Sequence, residues 1–261
     1  MKGCDIHVDW KLFLGDRLIN VCCNLCIFLG GDVLANTESK KRAALAAMKH
    51  VKDNMVIGVG TGSTVSCFIE ILGEKVRGGL KVLAVPTSYQ SAILLSEQSV
   101  PLTTLMVHPS LDIVVDGADE VDQDLNLIKG GGAALTQEKI VASATEHLII
   151  IVDSSKLVQC LGETGAVPVE VIPMAWKLVK TKLEGRGARV VLREGSGKAG
   201  PVVTDNGNFV LDAYFAKISD PGSLESELKA IPGVVENGLF IGMAELVYVG
   251  SDKDLRILRK K

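Results

Sequence analysis

The stretch over residues 55–72, MVIGVGTGSTVSCFIEIL, constrains this chain more than any other. Its first five apolar residues are too few for a stable helix, and they end on Gly60, Thr61, Gly62, Ser63 and Thr64. From Val65 onward the apolar side chains fall at helical spacing. Strand, glycine turn and helix form a unit that recurs: a strand over 82–85, a helix through 92–95, a strand over 113–115, a helix around 137–144 and a strand over 148–152. Strands that alternate with helices are joined by crossovers, so they lie parallel in one sheet with helices against its faces. An Ala-rich helix over 38–51 precedes the series, with Thr37 placed to cap it and Asp53-Asn54 to end it.

After Gly165 the texture changes. A strand over 167–172, a helix over 174–183 and a strand over 189–192 lead into a Gly-rich loop over 194–200. In the segment VVTDNGNFVLD, Asn206-Gly207 between two alternating runs is a hairpin signal. A helix over 224–230 and a strand near Val234 complete an antiparallel α+β group. A last strand over 246–249 returns to the first sheet, leaving a basic tail, Arg259-Lys260-Lys261. The expected fold is α/β: a parallel-sheet, Rossmann-like domain over 37–165 plus 241–261, and a second, smaller α+β domain over 166–240.

Residues 1–36 stand apart. They hold Cys4, Cys22, Cys23 and Cys26, four of the six cysteines, and an apolar run over 18–29 that is too short to span a bilayer. Cys67 and Cys160 stand alone, so no disulfide framework is expected. Cys23 and Cys26 have CxxC spacing without a second ligand pair. The run has the shape of a signal-peptide core, with 33–35 as a small-residue cleavage site, but Asp5, Asp9 and Asp16 are unusual before such a core. The reading adopted is an appended or mis-started N-terminus, the folded unit beginning near Thr37.

With 28 Lys and Arg against 31 Asp and Glu, the net charge of −3 gives no footprint for nucleic acid. Aromatic residues make up 4% of the chain, too few for a base-stacking platform. The 27 glycines are a clear excess, and many fall in candidate ligand loops.

Gly58 to Thr64 fails both the dinucleotide and the Walker patterns, because Ser63 and Thr64 stand where Gly and Lys are needed. What remains is a helix N-terminus with small residues and hydroxyls, which suits a phosphate better than a merely tight turn. Asp112, Asp116, Asp119, Glu120, Asp122 and Asp124 form an acidic cluster. Its EF-hand mimicry breaks at Leu127 and Ala133, which excludes calcium. Asp116 and Asp119 follow a strand end, where open α/β sheets bind ligands; Glu120, Asp122 and Asp124 read as carboxylates solvating a turn. Lys129 precedes Gly130, Gly131 and Gly132, a costly run that marks close backbone approach. Glu138, taken alone, reads as an ordinary exposed helix residue, and Lys156 as a solvated lysine after a strand end. His7, His50, His108 and His147 lack metal-ligand spacing, and no GxSxG elbow occurs. The set left standing suits proton transfer on a small phosphorylated metabolite.

Seven motifs in register carry a family resemblance: GVGTGST at 58–64, DGADE at 116–120, KGGGAALTQEK at 129–139, DSSK at 153–156, PVEVIP at 168–173, VTDNGN at 203–208 and IPGVVENGLF at 231–240. Over about 40–250 the chain resembles ribose-5-phosphate isomerase of the type A family. The resemblance implies interconversion of ribose 5-phosphate and ribulose 5-phosphate through an enediolate, in the non-oxidative pentose phosphate pathway, without metal or organic cofactor. It implies Glu138 as the catalytic base, Asp116 in ring opening and proton transfer at oxygen, and Lys129 as the stabiliser of negative charge on oxygen. Asp119 would hold sugar hydroxyls. Thr61, Gly62, Ser63 and Thr64 match the substrate loop, with Gly117, Ala118, Gly130, Gly131, Gly132, Lys156 and Lys40 as further contacts. It also implies a cytoplasmic homodimer or homotetramer whose partner is a sugar phosphate, with no nucleic acid and no membrane. The segment over 185–200 looks longer than the family pattern. The alternative from another class is a non-enzymatic sugar-phosphate sensor of a transcriptional regulator, which would need a DNA-binding module that 1–36 does not resemble.

Overall fold

A computed structural model describes residues 30–260 apart from 196 and 198. The Cys23–Cys26 pair and the apolar run over 18–29 lie outside the described residues.

The main sheet has six strands in the order β13-β12-β6-β3-β1-β2. These are β1 (Met55–Val59), β2 (Val82–Pro86), β3 (Ile113–Asp116), β6 (Leu148–Asp153), β12 (Ala244–Gly250) and β13 (Leu255–Arg259). All neighbours are parallel except β12 and β13. Every residue of β6 is buried, as a central parallel strand covered on both faces requires. On the faces lie α1 (Gly30–Met48), α2 (Ser63–Arg77), α3 (Tyr89–Glu97) and α4 (Leu135–Ala142). Helix α2 buries Val65, Phe68, Ile69 and Leu72 on one stripe. Helix α3 opens with a capping box between Ser88 and Ser91.

The smaller domain is a four-stranded antiparallel sheet, β10-β7-β9-β8. It comprises β7 (Val167–Val171), β8 (Arg189–Leu192), β9 (Phe209–Tyr214) and β10 (Val234–Asn237), with α5 (Trp176–Glu184) and α6 (Pro221–Lys229) beside it. Val167, Val169, Val171, Val179, Leu183, Leu211 and Leu228 are among the residues of its own core. Three two-residue strands, β4 (Glu120–Val121), β5 (Leu127–Ile128) and β11 (Leu239–Phe240), form a third sheet. Because Lys129 follows β5 directly, this small sheet fixes where that lysine emerges.

Several expectations need correction. Thr37 does not cap α1, since the helical backbone begins at Gly30, upstream of it; 30–36 holds no proline to stop it. The basic tail is in part strand β13, which pairs antiparallel with β12 and covers that sheet edge. The turn at Asn206-Gly207 is present, with Gly207 at φ 79°, but its first arm pairs only through a single bridge, Val203 to Phe209. Glu120 does not solvate a turn. It is buried and accepts hydrogen bonds from the backbone N–H groups of Gly162, Thr164 and Gly165 and from the Thr164 hydroxyl.

Candidate active site

The chain runs from β1 to β2 on one side and then returns to β3 on the other, so the topology switches at β1. Ligands bind beyond the carboxyl ends of strands at such a point. Gly60 to Thr64 leave β1 there, and Asp116 ends β3 beside them. The two loops are in close contact: a Cβ on Gly60 would fall 1.8 Å from Asp116 Oδ1, so only glycine fits. The Asp116 Oδ1 atom accepts hydrogen bonds from the N–H groups of Gly117 and Thr61, at 2.7 and 3.2 Å.

Lys129 reaches into this corner from β5. Its Nζ lies 3.0 Å from Asp116 Oδ2 and 3.3 Å from Glu138 Oε2, and donates a hydrogen bond to the Gly117 carbonyl at 2.7 Å. All three side chains are buried, with Lys129 3% and Glu138 4% exposed. Neither Asp116 Oδ2 nor Glu138 Oε2 receives a well-directed hydrogen bond among the described residues, so both ion pairs rest on proximity. Glu138 is therefore not the exposed helix residue that its position alone suggests. It sits in the first turn of α4, which packs against β3, β7 and β10.

Burial dominates the electrostatics. It raises the Glu138 carboxyl to about 8, with help from the Asp116 and Asp119 charges and against the Lys129 ammonium. Burial also raises Asp116, while Lys129 and the two N–H donors pull it down. Burial alone would depress the lysine, but Asp116 and Glu138 outweigh it and hold it protonated. The result is a fixed cation between two carboxylates of raised pKa.

A cavity of about 150 Å³ opens above the cluster. Thr61, Gly62, Ser63, Thr64, Gly117, Ala118, Asp119, Lys129, Gly130, Gly131, Gly132, Glu138 and Lys156 line it, together with Gln90, which sequence reasoning missed. Gln90 carries no motif, and only the packing of α3 brings it here. Asp116 does not line the cavity but supports it from below. Lys40 does not line it either; its Nζ reaches Ser63 Oγ at 3.0 Å from α1. Lys156 is half-buried on the opposite loop. The Asp119 carboxylate accepts from Gly131 N at 2.7 Å and so joins the DGADE and KGGG loops. Thr61 Oγ1 is bound to Thr87 Oγ1 and Ser88 Oγ at 2.8 and 2.7 Å, which ties the glycine loop to the start of α3.

A larger cavity, about 690 Å³, lies at the amino ends of the strands and is lined by Lys49, His50, His147 and Arg259 among others. It holds none of the predicted site residues. Size is the weaker criterion here, because buried groups with shifted pKa values converge on the smaller cavity. Among the described residues, no group of three or more His, Cys, Asp or Glu side chains is placed to hold a metal ion. No helix among them is long and apolar enough to cross a membrane.

A buried lysine between two carboxylates, below a glycine-lined cavity at strand ends, defines an acid–base catalyst for a small anionic substrate. The ribose 5-phosphate isomerase A (phosphoriboisomerase A) family model matches residues 83–254. A ribose-5-phosphate isomerase A from Methanothermobacter thermautotrophicus is 58% identical over 221 residues, 84% of this chain and 97% of the relative. One from Pyrococcus horikoshii is 49% identical, covering 85% and 98%. The solved structure of ribose 5-phosphate isomerase A from Methanocaldococcus jannaschii superposes with a TM-score of 0.83 at 46% identity, covering 86% of this chain and all of that one. A D-ribose-5-phosphate isomerase solved in complex with phospho-erythronic acid gives 0.83 at 50% identity, covering 85% and 98%. The chain belongs to the ribose 5-phosphate isomerase A family.

Proposed function

We propose that the chain interconverts D-ribose 5-phosphate and D-ribulose 5-phosphate, the aldose–ketose step of non-oxidative pentose phosphate metabolism. The Glu138 carboxylate removes the proton from C2 of the open-chain aldose. The C2–H electron pair forms the C1–C2 double bond and the carbonyl pair moves to O1, giving an enediolate. Protonated Glu138 then returns its proton to C1, while the O2 proton passes to O1, leaving O2 as the ketone oxygen and O1 as a hydroxyl. Asp116, held below the cavity against Lys129, assists ring opening and proton transfer between oxygens through that lysine, whose ammonium stabilises the negative charge that develops on them. Asp119 holds the sugar hydroxyls. Thr61, Gly62, Ser63 and Thr64 at the N-terminus of α2, with Gly117, Ala118, Gly130, Gly131, Gly132 and Lys156, bind the rest of the substrate, and Lys40 acts through Ser63, which it holds from α1.

The placement of Glu138 beside Lys129, both buried at the cavity, supports this reading most strongly. A carboxyl raised to about 8 is a stronger base than an ordinary glutamate, as abstraction from carbon requires. The reaction needs no metal and no organic cofactor. The enzyme is cytoplasmic and works as a homodimer or homotetramer; exposed Ile172, Met174 and Leu178, within one seven-residue stretch, support self-association. Residues 37–165 with 241–261 form its catalytic domain, which α1 extends back to Gly30, and 166–240 form the smaller one. The test is purified protein with ribose 5-phosphate and a chelator, following ribulose 5-phosphate. Steady product formation is expected. Absence of product overturns the function, and activity lost to the chelator overturns the metal-free mechanism.

A further inference from the structure

Two motifs, PVEVIP and VTDNGN, lie outside the cavity, yet a buried carboxylate joins them to it. Glu170 in β7 is completely buried. Its Oε1 accepts hydrogen bonds from Thr204 Oγ1, Asn206 Nδ2 and Asn208 Nδ2 at 2.9, 3.0 and 2.8 Å. Its Oε2 accepts one from Thr136 Oγ1 at 2.5 Å. Thr136 belongs to the first turn of α4, two residues before Glu138. Among the described residues no side chain caps that turn, whose N-cap residue is Ala134. The turn therefore lacks the local restraint that usually fixes a helix start. Its anchors come from the smaller domain instead: Thr136 on Glu170, Gln137 Nε2 on Asn206 Oδ1 at 2.9 Å, and Lys139 Nζ on Glu225 and Glu236 at 3.2 and 2.9 Å. Residues 136, 137 and 139 all grip the smaller domain, while Glu138 between them turns to Lys129. The same turn over 203–208 also reaches α3, through Tyr89 N donating to Asp205 Oδ2 at 2.7 Å.

We infer that Glu170 is a positioning residue for the isomerisation: by gathering the 203–208 turn and Thr136 onto one buried carboxylate, it sets the place of Glu138 over the substrate. The inference rests on the isomerase reading above. Glu170 touches neither the cavity nor the reacting atoms, so its effect passes through α4. A general base displaced by about 1 Å loses on the order of 100-fold in rate, whereas phosphate binding at the α2 terminus is untouched.

The test compares wild type, Glu170→Gln, Thr136→Val and Thr136→Ser with ribose 5-phosphate as substrate. Folding is checked by circular dichroism, and kcat, KM and the pH profile of kcat are measured. Glu170→Gln and Thr136→Val are expected to lower kcat about 10- to 100-fold with KM within about threefold, and to shift the pH profile, because the surroundings of Glu138 change. Thr136→Ser keeps the hydroxyl and is expected to retain wild-type kcat. Should Glu170→Gln not fold, Thr136→Val decides alone. Folded variants with wild-type kcat and pH profile overturn the inference, as does a rise in KM alone or an equal loss in Thr136→Ser. A wild type that does not turn over ribose 5-phosphate overturns the isomerase reading instead.

Discussion

Lys129 sets the chemistry of both carboxylates beside it. Its charge opposes the rise that burial imposes on Glu138, so the carboxyl stands at about 8 rather than higher. A base must be ionised to accept a proton, so kcat/KM is expected to climb as pH rises towards about 8 and to level off above it. Lys129→Met removes the opposing charge, and the climb then moves to higher pH. The maximal rate also falls on the order of 100- to 1,000-fold, because enediolate charge loses its donor. A pH series on both proteins checks this; an unmoved limb would show that another group titrates. At this scale the sequence was half legible. Asp116, Asp119 and Lys129 were readable as candidates because they follow strand ends or border glycines. Glu138 was readable only through the KGGGAALTQEK motif, since an exposed and a buried glutamate look alike until α4 is packed. Glu120 misled for the same reason: its partners lie more than forty residues away.

Strong periodicity made β1, α2, β2, β3 and β6 readable, because each is a buried run or a clean stripe between turn residues. The two-residue strands of the third sheet have no period to read, and β13 alternates too weakly, with three exposed charged or apolar residues in five. Between these elements, hydroxyls act as joints. Ser88 caps α3 by accepting from Ser91 N at 3.1 Å, and also holds Thr61 Oγ1. Ser88→Ala is expected to cost about 1 kcal/mol of stability, read as a lowered Tm. It is also expected to raise KM more than it lowers kcat, since Thr61 belongs to the proposed substrate loop and lies outside the Asp116–Lys129–Glu138 cluster. A fall in kcat with KM unchanged would place this joint in the wrong part of the mechanism.

The whole molecule brings its sheets together so that the main sheet supplies Asp116, the three-stranded sheet supplies Lys129, and the sheet of the smaller domain clamps the helix that carries Glu138. Alternation in the first part of the chain and hairpin texture in the second made the plan of a parallel-sheet domain with a smaller antiparallel one legible. The dependence of α4 on the smaller domain was not, because those bonds join residues more than thirty apart. Self-association of the exposed stretch at Ile172, Met174 and Leu178 is expected to give a dimer or tetramer in light scattering, and Met174→Glu with Leu178→Glu to weaken it; a wild-type monomer would contradict the oligomeric proposal. In the proposed mechanism Glu138 moves the proton. Its most direct test is Glu138→Gln, with turnover and equilibrium binding of ribose 5-phosphate measured on the same preparation. We predict kcat reduced by about 100- to 10,000-fold with substrate affinity within a few-fold of wild type. Near-normal turnover in that variant would remove Glu138 from the mechanism.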